Sequence, residues 1–194
     1  MSMTDIESKP SIGSATMKTL TVMRGLPWSG KSYRAKELAE ELEATILSTD
    51  DYWYEVNHPE KPDEYSFNRQ FLPGAHKWNQ LRAARAIERG ESIIIDNTNT
   101  TASEPKPYIE HAHFCFPDEY KFCIEEPTSE RWLEIRQLLY DKKSNKKEPK
   151  KWAATLAEGS KETHNVPHFA IERMMWRWQC DLTVDQILTE GDKG

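Results

Sequence analysis

Gly25-Leu26-Pro27-Trp28-Ser29-Gly30-Lys31-Ser32 satisfies the pattern GxxxxGK[ST] at every fixed position. Residues of these types at this spacing serve phosphate chemistry. Successive backbone N–H groups converge on anionic oxygens, the lysine neutralises the β/γ charge, and the hydroxyl beside it ligates Mg²⁺. The sequence therefore predicts ATP as the ligand, held by Gly25 through Ser32, with Lys31 on the phosphates and Ser32 on Mg²⁺. Trp28 stands where a small residue fits more easily. Its indole either points outward or stacks on a base or substrate.

A phosphate loop works only between a strand and a helix, and the flanking residues predict both. Lys18–Arg24 is a short apolar, β-branched run stopped by Gly25, and Ala35, Leu38, Ala39 and Leu42 mark one face of a helix over Lys31–Leu42. Further strands are expected at Thr45–Ser48, Ser92–Ile95 and Tyr120–Ile124. Helices are expected at Ala75–Arg89 with Gly90 as its left-handed stop, and at Pro107–Phe114 and Ser129–Tyr140. Two more helical stretches lie around Trp152–Ala157 and Pro167–Gln179, and the Pro- and charge-rich stretch Tyr54–Phe71 reads as a loop. Alternating strands and helices imply an α/β fold, a mostly parallel sheet flanked by helices. Residues 1–16 are Ser- and Thr-rich and read as a disordered tail ahead of a single domain over 17–189, with a lysine-rich insertion around 141–165.

Five segments, MRGLPWSGKS, LSTDDYW, GAHKWNQLRA, SIIIDNTNT and THNVP, resemble in order and spacing the P-loop family related to the 5′-hydroxyl kinase domain of polynucleotide kinase. The nearest likeness is to a branch of predicted AAA-type P-loop kinases shared by bacteria and animals, and it covers residues 18–180. The resemblance implies a kinase with a helical lid that uses ATP and Mg²⁺, with a nucleic-acid 5′ end as acceptor. Asp50 becomes the general base on the attacking hydroxyl, while helix capping is the competing role, better suited to Asp51. Asp96 falls on the metal side, or Asn97 takes that place if no gap is allowed. Asn79, Gln80 and Arg82 either face the acceptor or form a polar helix face, and Asp51, Trp53, Asn97 and Asn99 complete the candidate acceptor surface. In the lid, Lys161 stands for an arginine and Asn165 for a glycine, keeping the charge but losing the bidentate fork. His164 either contacts phosphate or packs. Trp53 occupies the place of an arginine that touches the reacting phosphate.

Composition narrows the alternatives. A formal charge of −6 argues against broad coating of nucleic acid and favours, as a second reading, a kinase for a small hydroxylated metabolite. A nucleotide-binding interaction module with little turnover is the third. Cys115, Cys123 and Cys180 lack CxxC spacing, so a reducing, cytoplasmic setting is expected, with no membrane partner. The six lysines of 141–151 read as a solvated charge run. Met174, Met175, Trp176 and Trp178 read as a helix face packed on the sheet.

Overall fold

The computed structural model describes residues 17–56, 65–144 and 146–190. The tail over 1–16 and residue Asn145 lie outside the described residues. Four parallel strands, β1 (Lys18–Met23), β2 (Thr45–Leu47), β3 (Ile93–Ile95) and β4 (Tyr120–Glu125), form a sheet in the order β2-β3-β1-β4. The register Leu47↔Ile95↔Val22↔Ile124 aligns their carboxyl ends at one edge. Helices α1 (Lys31–Leu42), α3 (Leu72–Glu88), α4 (Lys106–Cys115) and α5 (Glu130–Asp141) connect or follow these strands. The α/β class expected from the sequence is the fold observed.

Strand pleating sorts the core into two faces. Leu20, Val22, Ile93 and Ile95 join Ala86, Ile87, Tyr108, Ile109 and Ile187 on one side, while Met23 and Ile94 meet Ala35 and Leu38 of α1 on the other. All three residues of β3 are buried, as a strand covered on both faces requires. Gly90 stops α3 with φ +68°, the left-handed geometry expected for it.

A third cluster lies off the sheet and corrects one expectation. Helix α6 (Lys147–Gly159) and helix α7 (His168–Arg177) pack with α5 through Trp132, Ile135, Leu139, Ala153, Leu156, Ile171, Met175 and Trp178. Met175 and Trp178 therefore pack on helices rather than on the sheet, Met174 only partly joins them, and Trp176 is 38% exposed. Leu26, from the loop after β1, joins this cluster. The lysine run also divides. Lys142 is buried, its ammonium donating to the carbonyls of Met175 at 3.0 Å and Trp178 at 2.7 Å, whereas Lys143, Lys146, Lys147, Lys150 and Lys151 are exposed.

Short helical segments touch both ends of the stretch that reads as a loop. Asp51–Glu55 forms α2 at its start, and Arg69–Phe71 forms one 3-10 turn at its end; residues 57–64 lie outside the described residues. Helix α8 (Val184–Thr189) opens on a reciprocal capping box, Thr183 accepting from the Gln186 amide while the Gln186 side chain accepts from the Thr183 amide.

Candidate active site

The four strands deliver their loops to one edge, the place where open parallel sheets bind ligands. After β1 the chain turns sharply through Gly25, where a Cβ would come within 2.7 Å of Ser29 Oγ and 3.1 Å of Pro127 Cγ. Gly30 then adopts φ +94° and opens α1. The first helical bond is Arg34 N–H to the Gly30 carbonyl at 3.1 Å, so the amides of residues 31–33 precede the ladder and face the loop. Ser29 Oγ is buried without a hydrogen-bond partner among the described residues, and Ser32 is exposed at the helix start. A cradle of free amides, an orphaned hydroxyl, an ammonium and an exposed serine fits a nucleotide polyphosphate.

Lys31 reaches across to β3. Its ammonium forms an ion pair with the Asp96 carboxylate and donates to the Asp96 carbonyl at 3.3 Å. Ser48 Oγ donates to the same carbonyl at 3.1 Å, tying the end of β2 to that of β3. Asn97 does the same through its side chain, whose Oδ1 accepts the Thr49 amide at 2.9 Å. Asn97 and Asn79 both donate to the Tyr108 hydroxyl, at 3.5 and 3.2 Å, linking the loop after β3 to α3 and α4. Asn99 is buried, with φ +47°, and donates to the Met23 carbonyl at 2.8 Å beside the phosphate loop. These asparagines brace the edge of the sheet.

The adjacent carboxylates of Asp50 and Asp51 have different surroundings. Asp51 Oδ2 accepts from the Ser48 amide at 3.3 Å and from Arg82 Nη1 at 2.8 Å, with the Arg82 guanidinium 4.3 Å from the centre of the Trp78 ring. The Asp50 side chain is 43% exposed; the Tyr65 hydroxyl donates to its Oδ1 at 3.3 Å and His164 Nδ1 lies 3.6 Å from its Oδ2. Beneath them Trp53 is 1% exposed, edge-on to Tyr52 and Phe67, so its indole supports α2 from inside the protein.

The Trp28 indole is 41% exposed and stacks on side chains of its own chain, an arrangement outside the two expected of it. The Arg131 guanidinium of α5 lies 3.5 Å from its ring centre, and Arg131 Nη1 donates to the Trp28 carbonyl at 3.1 Å. A Cβ built on Gly159 of α6 would fall 2.0 to 2.3 Å from three atoms of the same ring. Two groups that near cannot share a face, so the indole lies between α5 and α6. Trp28 carries φ +59°, a conformation costly for a bulky residue. Lys161 sits just past α6, exposed, its ammonium 2.6 Å from Glu158.

Arg24 and Tyr65 lie outside what the sequence motifs single out. Arg24 is 1% exposed; it donates to the carbonyls of Asn99 at 2.9 Å and Gln179 at 2.6 Å, pairs with Glu126 at 3.5 Å and lies over the Trp178 ring. It thus locks the root of the phosphate loop to the chain's last third. An arginine at a strand end carries no motif that would reveal this, and Tyr65 has no fixed spacing from Asp50. No helix among the described residues is long and apolar enough to cross a membrane, and no group of three or more metal-ligating side chains gathers among them.

Known proteins resemble the chain in the same region. Residues 20–158 match the family model described as AAA domain. NEDD4-binding protein 2 of Homo sapiens is 36% identical over 174 residues, which are 89% of this chain but only 8% of that protein's length. A solved structure of a candidate kinase from Chloroflexus aurantiacus j-10-fl aligns with a TM-score of 0.46 and 17% identity, over 64% of this chain and 67% of that one.

Proposed function

The chain belongs to the AAA domain family, and from that premise we propose that it is a P-loop kinase. It moves the γ-phosphoryl group of ATP to a hydroxyl, with the 5′-hydroxyl end of a polynucleotide as the acceptor. The observation that carries this reading is the contrast between Asp50 and Asp51. Asp51 is committed to Arg82 and the Ser48 amide, whereas the more exposed Asp50 carboxylate is available to a substrate. With β3 between them, β2 and β1 run about 10 Å apart, which puts Asp50 within the span of one phosphoryl group and one acceptor from the phosphate loop.

Asp50 takes the proton of the acceptor hydroxyl as its oxygen bonds to the γ-phosphorus. The bond from phosphorus to the bridging oxygen breaks, and its electron pair leaves with ADP. The loop Gly25 to Ser32 wraps the polyphosphate, with the amides at the start of α1 donating to it, and Lys31 exchanges Asp96 for phosphate oxygens. Ser32 and Asp96 would hold Mg²⁺, a sparse donor set suited to an ion that keeps waters and phosphate oxygens, and the ion neutralises phosphate charge when bound. Residues 141–165 act as the lid, from which Lys161 turns away from Glu158 to meet charge on the transferred group, and His164 contacts the acceptor side. Arg82, Asn79, Asn97, Asn99 and Trp53 hold Asp51 and the surrounding loops in place.

The test is transfer of labelled γ-phosphate to 5′-hydroxyl DNA and RNA oligonucleotides. Wild type labels at least one of them, and Asp50→Asn and Lys31→Ala reduce labelling by about 10²-fold or more. A small hydroxylated acceptor is the second reading, favoured by the buried, uncharged Trp53 where the resemblance has an arginine. ATP binding with no labelled oligonucleotide removes the polynucleotide assignment and advances that second reading. If small hydroxylated acceptors also stay unlabelled, a nucleotide-binding interaction module remains.

A further inference from the structure

Three separate segments converge on Asp50. Asp50 itself lies at the start of α2, Tyr65 precedes the 3-10 turn, and His164 belongs to the turn between α6 and α7. The Tyr65 hydroxyl donates to Oδ1 at 3.3 Å, while His164 stands 3.6 Å from Oδ2, beyond hydrogen-bond reach. The Tyr65 ring lies against His164, centroids 4.8 Å apart and planes 37° from parallel, and its centroid is 5.2 Å from that of Tyr54. A ring held by two neighbours fixes where its oxygen points.

We propose that Tyr65 is a positioning residue for Asp50: its hydroxyl anchors Oδ1 so that Oδ2 is the oxygen presented to the acceptor hydroxyl. Its contact with His164 ties that alignment to the α6–α7 turn. This rests on the proposed role of Asp50 as proton acceptor. An unanchored carboxylate rotates between many presentations, and one anchored oxygen restricts the other to a narrow range of approach. Tyr65 serves as a donor throughout. Burial, followed by the charge of Asp50 and the hydrogen bond to it, raises the phenol far above its ordinary range, so it keeps its proton while Asp50 gains one from the acceptor.

Tyr65→Phe removes one oxygen and leaves the ring stack intact. The other titratable groups around Asp50 stay unchanged: Asp51 with its partner Arg82, Tyr54 on α2, His76 on α3, and His164. We expect kcat for phosphoryl transfer to fall about 10-fold with the KM for ATP unaltered. The loss falls on kcat alone, because phenylalanine keeps the ring contact with His164 and removes only the donor to Oδ1. A loss that appears in the KM for ATP, or no fall in kcat at all, overturns the inference.

A second measurement reads the contact without turnover. In wild type the Tyr65 ¹³Cζ resonance stays at its phenol position through about pH 11, above the ordinary tyrosine range, and in Asp50→Asn it titrates at lower pH. If no acceptor is labelled by wild type, the role of Asp50 as base falls. In that case a moved Tyr65 titration still upholds the anchor, and an unmoved one overturns it.

Discussion

Lys31 and Asp96 form an ion pair across the junction of the phosphate loop and β3, with side chains only 13% and 8% exposed. Each is the other's counter-charge. Removing one partner of such a pair strands the other in a poorly solvated place. Lys31→Ala is expected to lower unfolding stability by about 3 kcal/mol without nucleotide. It should also lose the rise of about 2.7 kcal/mol that ATP at about 100 times its Kd gives the wild type. Urea titrations with and without Mg-ATP measure both, and an equal rise in the two proteins contradicts the phosphate role of Lys31.

Gly159 and Trp28 should behave as one unit. A methyl group at 159 meets the indole at 2.0 Å, so Gly159→Ala costs about 1–3 kcal/mol through overpacking. In a Trp28→Gly background the same change should cost almost nothing, since the obstructing ring is gone and glycine tolerates the positive φ. The double-mutant coupling energy is the measurement, and additivity of the two changes contradicts the sandwich.

Two lysines of the stretch 141–165 should separate stability from chemistry. Lys142 donates to the Met175 and Trp178 carbonyls at the end of α7 from a buried position, so Lys142→Ala costs about 1–3 kcal/mol by removing that charged donor from both. The exposed pair of Lys161 with Glu158 is worth little to the fold. Lys161→Ala should therefore leave the melting temperature unchanged while reducing kcat. Thermal melts and turnover of the two variants decide this, and a destabilised Lys161→Ala with normal turnover reverses the assignment.

Much of this arrangement is legible in the sequence because it is local. The helix over Lys31–Leu42 matches its expected bounds, since the phosphate motif marks its start and a regular apolar face its extent, and the strand ends fall within a residue of their expected places. Asp50 and Asp51 stand out as a pair, yet their different surroundings depend on Arg82 and Tyr65, which pattern alone does not bring near them. The misplaced expectation concerns Met175 and Trp178, whose helical periodicity says which side is apolar but not what covers it. Helix α8 has a capping box readable as Thr183 and Gln186, but its six residues are too few for periodicity to stand out.

Thiol reactivity offers a check on that same packing. Cys115 is exposed, whereas burial raises the Cys180 thiol above its ordinary value and leaves less thiolate near neutral pH. An alkylating reagent near neutral pH should modify Cys115 well before Cys180, as mass spectrometry of timed digests would record. Earlier labelling of Cys180 would mean that the chain after α7 is open.

The position of β1 has a consequence for biosynthesis. Its partners on either side, Ile93 and Phe122 opposite Leu20, arrive long after it in chain order, and the Gln179 carbonyl that receives Arg24 comes later still. Although its sequence leaves the ribosome well before theirs, the phosphate loop cannot acquire its supported shape until the segment through Gln179 has followed. A nascent chain stalled before Gln179 would carry the whole motif yet leave the Arg24 guanidinium without its shortest hydrogen bond. ATP should thus distinguish chains extended past Gln179 from those arrested before it, and its binding would report that the segment bearing Gln179 has been made and docked.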